Sequence, residues 1–162
     1  QLGINDLYAT ALQDGSQTES VINDIINAMK VRLETMVNSI KSHNANIRVG
    51  IIQTFPPAIS QDATGNLLQS GLYSAEYYLK KGIAKWWEYL LSFYDTDAKR
   101  SAKIYLIGAN AVVDRENDFI TAVQDIDQYD GDDVVVQIDD VHPREGYKQI
   151  GDMYIGAIKY FG

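Results

Sequence analysis

At 162 residues the chain has the length of one domain, and its 46% hydrophobic content is that of a globular protein. A net charge of -8 argues against nucleic-acid binding, which wants a basic patch. The absence of cysteine rules out a disulfide framework, a thiolate metal site and a cysteine nucleophile. Within these residues no run is long and apolar enough for a membrane span, and none has the basic-plus-apolar form of a signal peptide.

In chain order, residues 1–3 read as the end of a strand, followed by Asn5-Asp6. By itself such a pair is a turn or a helix cap. Ser16-Gln17-Thr18-Glu19 has capping-box spacing. It introduces a helix whose apolar residues recur at steps of three and four: Val21, Ile22, Ile25, Ile26, Met29, Leu33, Met36, Val37 and Ile40. Both Met29 and Met36 are expected in the core. Residues 42–46 end this helix, and His43 reads as a solvated helix-end residue placed favourably for the helix dipole.

Residues 47–54 form a short apolar run, the pattern of a buried parallel strand, which ends in Phe55-Pro56-Pro57. Residues 58–70 are expected to be a loop. A helix over about 72–94 carries Tyr73, Tyr77, Leu79, Ile83, Trp86, Trp87, Leu90, Leu91 and Tyr94, too many for one narrow stripe. The excess reads as the wide face of a core helix, the commoner use of aromatic side chains, or as a surface for a glycan or partner.

Residues 103–110 are the next buried strand, and 111–133 an acidic connection. Counted from Asp125, an EF-hand frame fails at Tyr129, Asp130 and Val136, where a ligand, the glycine and the bidentate glutamate belong. A solvated acidic loop is the better reading. Residues 134–138 are a brief extended piece. A last helix, 144–161, is expected to bury Tyr147, Ile150, Tyr154, Ala157, Ile158 and Phe161. Strands alternating with helices predict an α/β fold, a parallel sheet with helices on both faces. Such sheets bind ligands beyond the C-terminal ends of their strands.

Between the last strand and helix lies Asp139-Asp140-Val141-His142-Pro143. An aspartate three residues before a histidine can fix its tautomer and stabilise the imidazolium formed during nucleophilic catalysis. Pro143 suits a helix's first turn, where its missing N–H is no loss. Read alone, the stretch serves equally as an acidic loop that holds one of two histidines.

Taken with Gly3-Ile4-Asn5-Asp6, this Asp-x-x-His-Pro resembles the SGNH (GDSL-like) hydrolases, a family of esterases and deacetylases. The resemblance rests on the last two of the family's four blocks, in their chain order, and spans nearly the whole chain. It implies a three-layer α/β/α sandwich of flavodoxin-like form over residues 1–162, with the N-terminal strands absent from this chain. It implies His142 as base, Asp139 as its orienter, with Asp140 the weaker choice, and Asn5 as an oxyanion-hole donor. Phe55 and Pro56 would lie at the substrate rim.

None of the serines follows an apolar strand in a Gly-Asp-Ser. The resemblance therefore implies a nucleophile on an upstream segment or a companion chain, so that residues 1–162 alone would neither fold stably nor turn over. The substrate expected is an ester or O-acetyl group on a carbohydrate, a lipid-like molecule or another small molecule, with no cofactor and no metal, in an extracytoplasmic or secreted protein. The competing expectation is a non-catalytic SGNH-like module, structural or carbohydrate-binding, in a cell-surface or virion assembly. A nucleotide-binding flavodoxin is disfavoured, because no glycine-rich phosphate loop joins a strand to a helix.

Overall fold

The structure is a computed structural model that describes residues 7, 19–55, 72–115, 117–125, 133–137 and 143–161. For 72–80, 110, 124–125 and 133–137 the description is of the backbone. It is a mixed helix-and-strand protein that divides into two compact units, Gln1–Thr54 with Tyr73–Gly108, and Phe55–Leu72 with Ala109–Gly162.

Unit 1 holds α1 (Glu19–His43), β1 (Val49–Ile52), α2 (Leu72–Tyr94), α3 (Asp97–Ser101) and β2 (Ile104–Ile107). Helix α1 buries Ile22, Ile26, Met29, Leu33 and Val37, a stripe in steps of four and three. Val21 and Met36 fall off that stripe and are exposed. Met36 is thus a surface residue and not the core residue its neighbours' periodicity suggested. It follows Leu33 by three but sits one position before Val37, which takes the inward place.

Helix α2 buries Ile83, Trp86, Leu90 and Tyr94, and Trp87 is half-buried. Leu91 is 49% exposed, so among the described residues all of the set but Leu91 belongs to the wide face of a core helix. The rings of Trp86, Tyr89 and Phe93 stack in sequence at centroid distances of 5.4 and 5.3 Å. Gly82 admits Leu7 closely, since a Cβ there would stand 2.8 Å from Leu7 Cδ2, while Ile22 Cγ2 of α1 would lie at an ordinary 3.8 Å.

β1 pairs with β2 in parallel, Val49 opposite Ile104 through Ile52 opposite Ile107. Parallel strands need a long crossover, and here it carries α2 and α3. The strands are shorter than the predicted runs, but one further bond, Gln53 N–H to Ile107 C=O at 2.9 Å, extends the ladder past β1.

Unit 2 holds a 3₁₀ turn (Ala109–Ala111), β3 (Thr121–Asp125), β4 (Asp133–Gln137) and α4 (Gly146–Phe161). Two expectations are corrected here. The acidic connection contains a strand, β3, and the extended piece after it, β4, pairs with β3 antiparallel, Thr121 opposite Gln137 through Asp125 opposite Asp133. The few residues between them suffice for an antiparallel return but not for the crossover a parallel neighbour requires. Among the described residues, β4 does not join β1 and β2.

The second correction is α4. Tyr147 and Ile158, expected in the core, are 51% and 69% exposed. Ile150, Tyr154, Ala157 and Phe161 are only half-buried, and Gly146 is the one buried residue of the described helix.

Candidate functional site

Asn5, Pro56, Asp139 and His142, together with Asp140, lie outside the described residues. Phe55, expected at a substrate rim, is described and is 3% exposed, so its ring packs in the interior. What the structure does describe is the ground on either side of these positions.

In unit 1 the parallel strands end at Ile52 and Ile107, and the chain beyond β1 stays tied down. Gln53 and Thr54 are buried, and the Trp87 indole N–H donates to the Thr54 carbonyl at 2.5 Å. A polar segment buried at this edge must have its backbone groups satisfied, and α2 supplies part of that satisfaction through Trp87.

In unit 2 the residue that follows His142 is the start of a dense corner. Pro143 is fully buried and forms an antiparallel bridge with Phe119. Its carbonyl accepts from Tyr147 N–H at 3.2 Å, and the Glu145 carbonyl accepts from Lys148 N–H at 3.1 Å, which begins α4. The proline therefore stands just ahead of the helix, where a missing N–H costs nothing. Gly146 is required by contact, since a Cβ there would lie 2.8 Å from Pro143 Cβ and 3.3 Å from Asp118 Cβ.

Asp118 was not singled out by sequence, yet it is the buried carboxylate of this corner, 5% exposed. Its Oδ2 accepts from Asp114 N–H at 2.6 Å, and its Oδ1 accepts from Gln149 Nε2 at 3.3 Å. Its own N–H donates to the Asp114 carbonyl at 2.9 Å, and its carbonyl accepts from Glu145 N–H at 3.3 Å. A buried carboxylate is costly unless its oxygens are hydrogen-bonded, and both are. In a run with as many acidic residues as 111–133, no local signal marks Asp118 as the buried one.

Away from this corner, an open groove of about 550 Å³ runs between α1 and α2, lined by Asn23, Asn27, Lys30, Lys85, Glu88 and Tyr89 among others. Lys85 is already engaged, 2.8 Å from Glu19 and 2.7 Å from Asn23 Oδ1. Lys30 lies over the Tyr89 ring at 4.9 Å from its centroid, and Tyr89 donates to Glu34 at 2.7 Å. Burial, then the bond to Glu34, push the Tyr89 phenol well above its ordinary range. A phenol held protonated this way is a donor and no base. The other hydroxyl of the groove, Ser92, donates to the Tyr89 carbonyl at 3.1 Å. Among the described residues no three His, Asp or Glu side chains are grouped to hold a metal ion, and no helix is long and apolar enough to cross a membrane. Comparison with protein-family models, with curated proteins and with solved structures finds no match.

Proposed function

We propose that this chain is the C-terminal part of an SGNH-type ester hydrolase, built on a three-layer α/β/α sandwich and acting on a small-molecule or glycan ester. The observation that carries the reading is the corner at Pro143. Directly after His142, Pro143 is buried and bridged to Phe119, and the chain then turns through the exposed Arg144 and Glu145 into α4, the kind of support that a reacting histidine needs. The Gly-x-Asn-Asp and Asp-x-x-His-Pro blocks in family order add to it, as does the parallel pair β1–β2 with its helical crossover.

In this reading a serine from a Gly-Asp-Ser block ahead of Gly3 attacks the ester carbonyl, and His142 accepts its proton. The Asn5 amide donates to the oxyanion of the tetrahedral intermediate. His142 then returns the proton to the departing alkoxide, leaving an acyl-serine that water hydrolyses by the same relay. Asp139 holds the imidazole tautomer throughout. The chemistry is complete without a cofactor.

The test uses a protein that carries this chain behind such a serine block, with a small acetyl ester as substrate. His142→Ala should lower kcat by about 10⁴-fold or more, and Asn5→Ala by about 10²–10³-fold. Undiminished turnover in both variants would remove the assignment. The non-catalytic module of a surface or virion assembly is favoured by one observation, the exposed apolar side chains of α4. That reading predicts no turnover even with the serine block in place.

A further inference from the structure

We propose, resting on the hydrolase reading above, that Asp118 is a positioning residue that fixes the main chain on the C-terminal side of His142. Asp118 ties three pieces of unit 2 together, two through its carboxylate and one through its main chain. Oδ2 holds the Asp114 N–H at 2.6 Å, and Oδ1 holds Gln149, one turn inside α4, at 3.3 Å. The Asp118 carbonyl receives Glu145 N–H at 3.3 Å, and the next residue, Phe119, bridges Pro143. The segment 143–146 is therefore gripped from the Asp118 turn by both side-chain and main-chain bonds. Within that segment Gly146 leaves no room for a Cβ between Pro143 and Asp118.

An apolar residue would fill this volume without the desolvation cost of a buried carboxylate. What it would not supply is direction. Two hydrogen bonds, one on each carboxyl oxygen, set the turn at 114–118 and the first turn of α4 in one register. A base in acyl transfer has to sit within a few tenths of an ångström of its productive place, and its supports carry that precision. Asp118 has both oxygens engaged and is buried, so it supports the base without touching the substrate.

The experiment measures steady-state kinetics on a small acetyl ester, in the protein carrying the serine block, well below the thermal transition of each variant. Asp118→Asn keeps the size but offers an amide N–H₂ to one of two donors that need an acceptor. Gly146→Ala keeps the Asp118 carboxylate but drives a methyl to 2.8 Å from Pro143 Cβ and 3.3 Å from Asp118 Cβ, against the same clamp. Both should lower kcat at least about tenfold with KM within about twofold, per folded molecule counted by circular dichroism. A group that merely stabilised the fold would lower the transition temperature and leave kcat alone.

If Asp118→Asn does not fold, Gln149→Ala removes one of the clamp's bonds from the solvent side and should lower kcat about two- to fivefold, again at constant KM. A parent dependent on His142 whose kcat survives these changes overturns the role of Asp118 alone. A parent with no turnover, or one indifferent to His142→Ala, overturns the hydrolase reading and this role with it.

Discussion

Helix α1 of unit 1 and helix α4 of unit 2 both carry apolar residues at helical spacing, and they are held in different ways. Along α1, five side chains from Ile22 to Val37 are buried, each contributing about 1.5–3 kcal/mol relative to exposure. Along α4, Tyr147, Ile155, Ile158 and Tyr160 are exposed. Its fixed point is the N-terminal end, where Pro143, Gly146 and Asp118 lock together. Beyond that, its described support includes the Lys148–Asp152 pair one turn apart, an exposed contact of little worth. The stripe of α1 glues a unit together, whereas α4 is anchored at the end that adjoins the proposed base.

The largest effect expected from this contrast is in the core. Leu90→Ala, at a fully buried position of α2, should cost about 2–5 kcal/mol. Ile158→Ala, at 69% exposure, should stay within about 0.5 kcal/mol. Urea unfolding at several protein concentrations measures both. If Ile158→Ala costs as much as Leu90→Ala, and the cost grows with protein concentration, α4 is covered in solution by a second copy.

Next in size is a response to alkaline pH, in which Tyr89 and Tyr94 of unit 1 are joined by Tyr154 of α4, whose phenol is also pushed up by burial. Burial pushes the Tyr94 phenol up, and burial with the Glu34 bond pushes Tyr89 up. The sign follows from linkage. In the unfolded chain a tyrosine loses its proton near about 10, whereas the folded protein retains it. Stability is thus fully present below that pH and falls as pH rises beyond it. Unfolding midpoints should drop steeply above pH 10, and less steeply in Tyr89→Phe. Equal slopes for the variant and the parent would remove Tyr89 from the cause.

How much of this was legible in sequence depends on what each signal measures. Spacing of apolar residues reports which side chains share a face, so the bounds of α2 at Leu72–Tyr94 and the inward stripe of α1 were readable. Whether a neighbour covers that face is a tertiary fact, and α4 shows the same spacing without the cover. Short apolar runs marked β1 and β2, and their parallel pairing followed from the helix between them. Val134–Val136 looked the same as those runs, but its partner, Thr121–Asp125, was hidden in acidic sequence that reads as loop. At the candidate site, Asp-x-x-His-Pro stood out only beside Gly-x-Asn-Asp, and its residues up to His142 lie outside the described ones. Asp118 did not stand out, because burial distinguishes it and letters do not.

A smaller effect sharpens the contrast through glycine. Gly151 and Gly156 lie within α4 with nothing within 4 Å of a Cβ placed on either. Alanine at each should stabilise by about 0.5–1 kcal/mol, by lowering the entropy lost on folding. The equivalent change in the packed helix, Gly82→Ala, drives a methyl to 2.8 Å from Leu7 Cδ2, so repacking should consume the helix gain. Thermal melts of the three variants check this, with a gain at 151 and 156 and none at 82. A loss at 151 or 156 would mean that the open face of α4 is filled in solution.

The smallest effect tests the joint that delivers β2. Lys103 has φ 61°, the left-handed region, where glycine is the usual occupant after a helix end. Its N–H caps α3 by donating to the Arg100 carbonyl at 2.9 Å, and its carbonyl accepts from Val49 N–H at 2.9 Å, the first rung between β1 and β2. The side chain offsets part of the backbone cost by donating to Asn46 Oδ1 at 2.9 Å, a contact open to solvent. Lys103→Ala keeps the Cβ and removes that contact, while Lys103→Gly removes both. Glycine relieves a left-handed penalty of about 1–2 kcal/mol but adds about 0.5–1 kcal/mol of unfolded-chain entropy. The glycine variant should therefore be more stable than the alanine variant by about 0.5 kcal/mol, read from paired urea melts. If the alanine variant is the more stable, residue 103 relaxes out of the left-handed region in solution, and the β1–β2 register must be set by another contact.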